Sequence, residues 1–394
     1  MADTIAAAPE GCILRKFVAP EFVFGADARM WAGRYAKNFG MERVLVVTDA
    51  GVEASGWADE VLRTLREVAV PYVVFSGVTS NPKAEEVMEG ARVYLDEDCD
   101  GIVAVGGGSP MDCAKGIGIV VSAGGRNILE FTGIDRVEEA TPLLLCVPTT
   151  AGTAAEISQF AIITDTARDV KTGVISKAIV PDVALIDPVI TTTMDSYLTA
   201  CTALDALCHG IEAYASRAHS PITDLHALEG IRLVRENLLL VLDAPHNLDL
   251  RCRVMLGSVH TGLAFSNASL GAVHALSHSV GGLLDFAHGE ANGLLMAPVI
   301  RRNYPAAPER YRRIAEVFGI GHAGAPDDEV RDMLVDGIRL FCRSAGVTTT
   351  LGTLGMCRNH LSALAENAVA DPCMITNPRR FTVTEVEDIY AELL

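Results

Sequence analysis

Short apolar runs alternate with segments of helical periodicity through the first half of the chain. The runs predict five buried strands, at 43–48, 72–75, 101–105, 143–147 and 183–186. Between the first three strands, apolar residues recur at helical spacing near 52–69 and 83–97. Strands and helices that alternate in this way indicate a parallel sheet with helices packed on its faces.

The pattern changes after about Thr191, where β-branched runs become rare and helical spacing dominates. The predicted helices lie at 197–216, 222–242, 250–266, 272–285 and 327–345. Turn and cap residues between Asp187 and Thr193 mark the boundary. We therefore expect an α/β domain with a Rossmann-like parallel sheet over 1–190, and an all-α helical domain over 191–394.

Composition and charge exclude several classes of protein. The 394 residues are 49% hydrophobic and 21% charged, which excludes a disordered chain. A net charge of −18 argues against nucleic acid or an anionic membrane as the main partner. No stretch reaches the roughly 18 apolar residues of a membrane span, and residues 1–12 do not resemble a signal peptide. The ten cysteines form no C-x-x-C pair, so we expect reduced thiols and a cytoplasmic protein.

The strand at 101–105 leads into three glycines and then a helix, in the segment GIVAVGGGSPMDCAK. Glycines let the backbone approach an anion closely and take positive φ where needed. Ser109 is expected to cap the helix, and Pro110 suits its first turn. The helix N-terminus would then face a pyrophosphate. The spacing is not G-x-G-x-x-G, and a tight turn without a ligand is the alternative.

Two other strand ends carry candidate cofactor contacts. A carboxylate at Asp49 could bind a ribose 2′-OH and would repel a 2′-phosphate, which favours NAD(H) over NADP(H). A simple turn or cap aspartate is an equal alternative. The segment PTTAGT at 148–153 suits contacts to a phosphate or a ribose, although Thr and Gly after a strand often form only a turn.

A candidate metal site begins with Asp205 and His209, which are four residues apart on a strongly apolar helix. They project from one face, one turn apart, and the carboxylate needs a partner to offset its desolvation. His274 and His278 repeat this spacing, and His288 follows a predicted turn. Imidazoles with one carboxylate suit Fe²⁺ or Zn²⁺. These residues alone do not separate His278 from His274 and His288 as a ligand, and packed core histidines are the alternative.

Together the motifs resemble the iron-containing (group III) alcohol dehydrogenase family over nearly the whole chain. The matching segments are VVTD at 46–49, NP at 81–82, GGGSPMD at 106–112 with Lys115, PTTAGT at 148–153 with Glu156, Lys171, DALCH at 205–209 with Glu212, H-x3-H at 274–278, HGxxN at 288–292 and TNPR at 376–379. The resemblance implies a dehydroquinate synthase-like architecture with the active site in a cleft between the two domains.

The resemblance also implies roles for individual residues. It makes Asp205, His209, His274 and His288 the metal ligands and places His278 beside the ion. It implies dinucleotide contacts from Asp49, Asn81, Gly107, Gly108, Ser109, Asp112, Thr149, Thr150, Thr153, Lys171 and Leu198. Two segments depart from the family. Gly-Ser before the motif glutamate is replaced by Ala154-Ala155, whose methyl groups should stiffen or narrow the loop, and Met-Pro-Pro is replaced by Met194-Asp195-Ser196.

We therefore expect a metal-dependent alcohol dehydrogenase or aldehyde reductase that transfers a hydride between NAD(H) and a small primary alcohol or aldehyde. The ion, Fe²⁺ with Zn²⁺ as an alternative, would act as a Lewis acid on the oxygen. His278 is the candidate proton relay, with orientation of a ligand as the alternative. Glu212 is expected to support the site. Phe160, Phe265 and Cys373 are candidates for the pocket lining, and we expect a homo-oligomer, a dimer or larger.

The alternatives share the same architecture or lack catalysis. A glycerol dehydrogenase-like enzyme, another polyol or hydroxy acid oxidoreductase, or a dehydroquinate synthase-like lyase is the nearest. Glycerol dehydrogenases and the lyases use three zinc ligands and generally lack a histidine at the position of His209. A maleylacetate reductase-like enzyme would lack the ligands. A non-catalytic nucleotide-binding protein would have lost a ligand or the glycine loop, and both are present.

Overall fold

A computed structural model describes residues 15–168, 170–284, 287–321 and 323–394 of the chain. The expectation about residues 1–12 therefore lies outside the described residues. The strands formed by the described residues are β1 Glu21–Phe24, β2 Val44–Val47, β3 Tyr72–Phe75, β4 Gly101–Gly106, β5 Gly133–Ile134, β6 Leu143–Pro148, β7 Phe160–Asp165, β8 Val170–Ile175 and β9 Val183–Ile186.

Six strands form one parallel sheet in the order β1-β9-β6-β4-β2-β3. All five predicted strands belong to it. The strand order reverses at β2, because β3 lies on one side of β2 and β4 on the other. Open α/β sheets bind ligands in the crevice outside the carboxyl ends of the strands at such a reversal. Asp49 and Gly107 follow β2 and β4 at this crevice.

Side chains of the central strands alternate between two cores, one on each face of the sheet. Leu45 and Val47 pack on one face, and Val44 and Val46 on the other. The covering helices are α1 Ala32–Asn38, α2 Ala50–Ser55, α3 Trp57–Glu67, α4 Ala84–Asp96 and α5 Gly108–Ser122. The helical segment predicted near 52–69 forms two helices, α2 and α3. Gly56, with a φ of 82°, ends α2 and begins α3, because a left-handed residue cannot continue an α-helix.

A second, smaller sheet has the order β5-β8-β7 and was not predicted. Strands β7 and β8 form an antiparallel pair. Strand β8 carries Lys171 and contacts the helical half of the molecule. The hairpin therefore brings a residue of the first half toward the second.

The second half of the described chain is helical, as predicted. Its helices are α6 Ser196–Ala215, α7 Pro221–Asp243, α8 Leu248–Ala268, α9 Ala272–Leu284, α10 His288–Asn303, α11 Pro308–Val317, α12 Asp327–Ser344, α13 Leu361–Ala370 and α14 Val383–Ala391. Helix α6 packs against α7, α8 and α10, so most of its residues are buried in one apolar core. A membrane-spanning helix needs a long apolar stretch, and no helix within the described part of the chain has one.

Candidate active site

One cavity of about 1030 Å³ is lined by residues from both halves of the molecule. All the predicted metal, cofactor and catalytic residues line it. Phe160 and Phe265 line it as well. Cys373 was predicted as lining, and this is wrong: it is only 4% exposed and is not among the described lining residues, because it packs in the helical core.

The glycine loop lines one end of the cavity, together with most of the predicted dinucleotide contacts. We call this the cofactor end, and we call the end lined by the predicted metal ligands the metal end. Helix α5 begins at Gly108 with Gly107 as its N-cap, so the predicted capping role of Ser109 is wrong. The Ser109 hydroxyl instead accepts from the backbone N–H of Asn81, 3.3 Å away. The loop glycines have no positive φ. Space is tightest at Gly106, where a Cβ would lie 2.4 Å from the Pro110 ring, and a Cβ on Gly108 would make a close contact of 3.0 Å with the Thr153 side chain.

Asp49 sits at the carboxyl end of the sheet and lines the same cavity. Its Oδ1 accepts from the Val52 N–H at 2.9 Å, so Asp49 is also the N-cap of α2. Asp49 can therefore both cap α2 and face a ribose in the cavity. Across the cavity, Lys171 Nζ donates to Asn81 Oδ1 at 2.7 Å. This contact joins the small sheet to the segment before α4.

A buried group of charged residues supports the loop from below. Lys115 on α5 donates to the carbonyls of Ser158 and Phe160 at 2.8 and 2.7 Å. Burial raises the pKa of Asp112 to about 6 and the pKa of Glu156 to about 7, while the charge on Lys115 opposes both shifts. The segment after β6 is thus tied to α5 by the buried ammonium group of Lys115.

The metal end brings together side chains from three helices. Asp205 and His209 lie on α6, His274 on α9 and His288 at the start of α10. Oδ1 of Asp205 is 3.5, 3.4 and 3.8 Å from Nε2 of His209, His274 and His288, respectively. Four ligand atoms at about 2.1 Å from a tetrahedral ion are about 3.4 Å apart. The donor types, and the distances from the Asp205 carboxylate to the three imidazoles, therefore fit one divalent ion.

The four candidate ligands do not form an equally tight set. Asp205, His209 and His274 place one ligand atom each within 4.8 Å of one another, and all three are buried. His288 is close to the carboxylate but is not part of this mutual set. Gly289 allows α10 to approach α6, because a Cβ there would lie 1.8 Å from the carbonyl oxygen of Cys201.

Glu212 supports the site from the next turn of α6. It accepts a hydrogen bond from Nδ1 of His274 at 2.7 Å, and it also accepts from the N–H groups of Gly271 and Val273 at 2.9 and 2.6 Å. A carboxylate on Nδ1 fixes a ring so that Nε2 faces the ion. Ser277 Oγ lies 3.0 Å from Nδ1 of His288 and can hold that ring in the same way.

Asn292 is a site residue that the sequence analysis noted only as part of a motif. It lies one turn after His288 on α10, and its Nδ2 donates to Oδ1 of Asp205 at 2.7 Å. The same Nδ2 is 3.3 Å from Nε2 of His274 and of His288. The four-residue spacing from His288 was the available signal, because it places both side chains on one face of a helix.

The electrostatics of the metal end call for a cation. Burial raises the pKa of Asp205, but the three nearby histidines lower it by more, and the result is well below the usual range. Burial lowers the pKa of His209 to about 4. Burial also lowers the pKa of His274, yet Cys208, Asp205 and Glu212 raise it well above normal. The buried carboxylates of Asp205 and Glu212 therefore favour a positive charge between the histidines, carried either by a proton or by a metal ion.

His278 has different neighbours from His274, one turn away. Its Nδ1 is 3.0 Å from Oδ2 of Asp371, and its ring lies parallel to His288 with centroids 5.3 Å apart. Asp371 was missed by the sequence analysis. It is 93 residues away in sequence, and no motif spacing connects it to a histidine.

Aromatic rings cover one side of the metal end. Phe265 stacks on His209 with centroids 4.2 Å apart, and Phe160 packs on Phe265 at 5.6 Å. Of the described residues that line the cavity, Lys171 is the only lysine and none is an arginine. The part of the cavity next to the candidate ligands is therefore largely apolar.

The two departures from the family have local structural explanations. Ala154 is buried with a φ of 48°, and it packs where a Cβ on Gly262 would lie only 2.4 Å from its own. Of the two alanines, only Ala155 lines the cavity. Asp195 caps α6 by accepting from the N–H of Leu198 at 2.7 Å.

Comparison with known proteins matches nearly the whole chain to one family. Residues 19–188 match the family described as iron-containing alcohol dehydrogenase, and residues 199–394 match its C-terminal domain. A 1,3-propanediol dehydrogenase of Citrobacter freundii is 37% identical over 94% of this chain and 96% of its own length. An NAD-dependent methanol dehydrogenase of Bacillus methanolicus is 34% identical over 96% of this chain and 99% of its own. The crystal structure of a 1,3-propanediol oxidoreductase superposes with a TM-score of 0.93 at 35% identity, covering 97% of this chain and 100% of that one.

Proposed function

The chain belongs to the iron-containing alcohol dehydrogenase family, and on that premise we propose that its own substrates are small, uncharged primary alcohols and their aldehydes. The enzyme is a metal-dependent alcohol dehydrogenase that uses NAD(H), and its architecture is dehydroquinate synthase-like. We propose, in addition, which residues bind the ion, which contact the cofactor and which carries the proton. The division into domains at 1–190 and 191–394 is also our proposal.

We propose that Asp205, His209, His274 and His288 bind one divalent ion. The observation that carries this proposal is the spacing of 3.4 to 3.8 Å between Oδ1 of Asp205 and the three imidazole Nε2 atoms. Supporting contacts from Glu212 and Asn292 hold the ring of His274 and the carboxylate of Asp205 in place. Histidine nitrogens with one carboxylate suit Fe²⁺, and Zn²⁺ is compatible with the same donors.

The cofactor residues are proposed from their position at the carboxyl edge of the sheet. The helix N-terminus at Gly107 and Gly108 would bind the pyrophosphate, with Asp49 near the adenosine ribose. The remaining proposed contacts are Asn81, Ser109, Asp112, Thr149, Thr150, Thr153, Lys171 and Leu198, all of which line the same cavity. The cavity volume of about 1030 Å³ leaves room for a dinucleotide and a small substrate.

The residues around the ligands have separate tasks in the reaction. When bound, the ion supplies a Lewis acid for the substrate oxygen, and NAD(H) accepts or donates the hydride. Phe265, stacked on His209, excludes water from one side of the site. We propose that His278 carries the proton between the substrate hydroxyl and solvent, because it lines the cavity and lies beside His288.

The uncharged character of the substrate follows from the lining. A carboxylate or sulfonate buried next to aromatic rings needs a cationic partner. Apart from the proposed ion, which the substrate oxygen occupies, Lys171 is the only lysine or arginine among the described lining residues, and its ammonium group already donates to Asn81. A substrate panel tests this proposal with protein reconstituted anaerobically with Fe²⁺, Zn²⁺ or Mn²⁺. We expect turnover of 1,3-propanediol and short primary alcohols with NAD⁺, and little reduction of a short anionic aldehyde; preferential turnover of the anionic aldehyde would contradict it.

We also propose a cytoplasmic homo-oligomer. The nine described cysteines are all free thiols, as expected in a reducing compartment. Strand β1 lies at the edge of the large sheet, and its Phe22 is 40% exposed. An unpaired edge with exposed apolar side chains is a surface that a second copy can cover. Light scattering should give at least twice the mass of one chain, and a monomer at micromolar concentration would contradict the proposal.

A further inference from the structure

Helix α9 carries two histidines, and each has a carboxylate on Nδ1. One turn apart, His274 is bound by Glu212 at 2.7 Å and His278 by Asp371 at 3.0 Å. Of these two histidines, His274 is the one whose Nε2 lies 3.4 Å from Asp205 Oδ1. The Asp371 contact therefore orients a ring that belongs to the cavity and not to the proposed ligand set.

Asp371 is held rigidly at the end of α13. Its Oδ1 accepts from the N–H of Cys373 at 2.7 Å, which makes it the N-cap of the 3₁₀ turn Pro372–Ile375. Its backbone N–H donates to the carbonyl of Ala368 at 3.3 Å. Because Oδ1 is committed to the turn, Oδ2 has a fixed position against His278. Both side chains are about one-tenth exposed.

This geometry selects one form of the His278 ring. An ionised carboxylate can only accept hydrogen bonds, so Nδ1 must carry the hydrogen. The other nitrogen, Nε2, then has the free electron pair. A histidine in this form can take a proton at Nε2 without changing its contact to Asp371. The same logic places an aspartate behind a catalytic histidine in other enzymes.

We propose that Asp371 is a positioning residue for His278, holding its ring and its Nδ1 hydrogen so that Nε2 takes the hydroxyl proton of the alcohol. In the oxidation direction the carbinol hydrogen leaves as hydride to NAD⁺, the C–O bond becomes a carbonyl, and the hydroxyl proton passes to Nε2 and then to solvent. In the reduction direction each transfer is reversed. This inference rests on the role that the proposed function gives to His278.

The test is a double-mutant cycle of His278→Ala with Asp371→Ser. Serine keeps an N-cap acceptor for the Cys373 N–H but has no second oxygen for His278. Asp371→Asn is a second variant, whose amide can donate to Nδ1 and favour the opposite ring form. Ser279→Ala is the matched control. This substitution removes another buried hydrogen bond of α9, which Ser279 Oγ donates to the carbonyl of Leu364. Ser279 is not among the described residues that line the cavity.

We expect Asp371→Ser and Asp371→Asn to lower kcat by about tenfold or more, with the KM for NAD⁺ changed by less than about twofold. Metal content and apparent Tm are measured on each variant, and metal content should stay at the wild-type value. Ser279→Ala should keep wild-type kcat. In the His278→Ala background, Asp371→Ser should lower kcat by less than about twofold more, because a residue that acts only through His278 has nothing left to position.

Two results would overturn the inference, and they are distinguishable. If Asp371→Ser lowered kcat by the same factor with and without His278, Asp371 would act elsewhere and only this inference would fail. Wild-type kcat in His278→Ala would remove the proton-carrying role from the proposed function itself, and the positioning role would fall with it.

Discussion

The two ends of the cavity are built in different ways. The cofactor end is made from strand ends, a glycine loop and a helix N-terminus, so much of its binding capacity comes from backbone groups. The metal end is made from side chains on α6, α9 and α10, held by further side chains such as Glu212 and Asn292. The comparison indicates that the cofactor end depends on topology, whereas the metal end depends on a network of individual contacts.

Removing the ion should separate the two ends most strongly. Chelation should lower the rate of alcohol oxidation by on the order of 10³-fold or more, because several kcal/mol of charge stabilisation is lost. NADH affinity, followed by fluorescence titration, should change by less than about twofold, because the proposed pyrophosphate contacts are backbone groups of α5. A parallel loss of NADH binding would show that the ends are not independent.

Within the metal end, Glu212→Ala should have the next largest effect. The ring of His274 loses its partner on Nδ1, so metal affinity should fall by about 10- to 100-fold. Glu385→Ala is a matched control, because Glu385 caps α14 by accepting from the Thr382 N–H and does not line the cavity. Metal titration monitored by activity and by direct analysis measures the difference. Equal losses in both variants would assign the effect to general destabilisation.

At the cofactor end, Asp49→Asn should relax the preference for NADH over NADPH by about tenfold, because like charges about 4 Å apart repel by on the order of 1 kcal/mol or more even in water. Asparagine keeps the cap on α2, so the fold should not change. Glu53→Gln removes a charge from the same helix at a position that does not line the cavity. If both variants changed the kcat/KM ratio for NADPH over NADH equally, Asp49 would have no specific role.

The smallest expected effect is the pH dependence of stability from Glu156, below the glycine loop. Burial raises the pKa of Glu156 in the folded state to about 7 from its ordinary value of 4.5. Between these two values the folded state binds more protons than the unfolded state, so this group's contribution to stability falls as pH rises through that window. Glu156→Gln should remove that decline, on the order of 1–3 kcal/mol.

The comparison for Glu156→Gln is the apparent Tm at about pH 5 and about pH 8. The Tm of the variant relative to wild type should rise by a few degrees between these two conditions. Glu53→Gln serves again as the control, because Glu53 is exposed. An unchanged difference across the two pH values would mean that Glu156 is not the source of the pH dependence.

The fold was largely accessible from the sequence because its elements carry strong periodicity. Fully buried strands such as Val44–Val47 and long apolar helices such as Ser196–Ala215 were predicted within two residues. Strand β1 was missed because it is short and half exposed at a sheet edge. The break at Gly56 was missed because hydrophobic spacing continues across it, whereas its left-handed φ was not visible in the pattern.

The candidate site was predictable only where its residues repeat at helical spacing. Asp205 with His209, and His274 with His278, could be paired on one helix face from sequence. Contacts across the fold could not be predicted: Glu212 reaches Gly271, and Asp371 reaches His278 over 93 residues. Such pairs depend on how helices pack, which local spacing does not encode.

The proposed metal site is tested most directly by the metal content of His274→Ala and His278→Ala after anaerobic reconstitution with Fe²⁺. These histidines lie one turn apart on α9, and only His274 faces the carboxylate of Asp205. We expect His274→Ala to lose both bound iron and activity, and His278→Ala to keep one ion per chain while losing most of its kcat. Full iron and full activity in His274→Ala would contradict the proposed site.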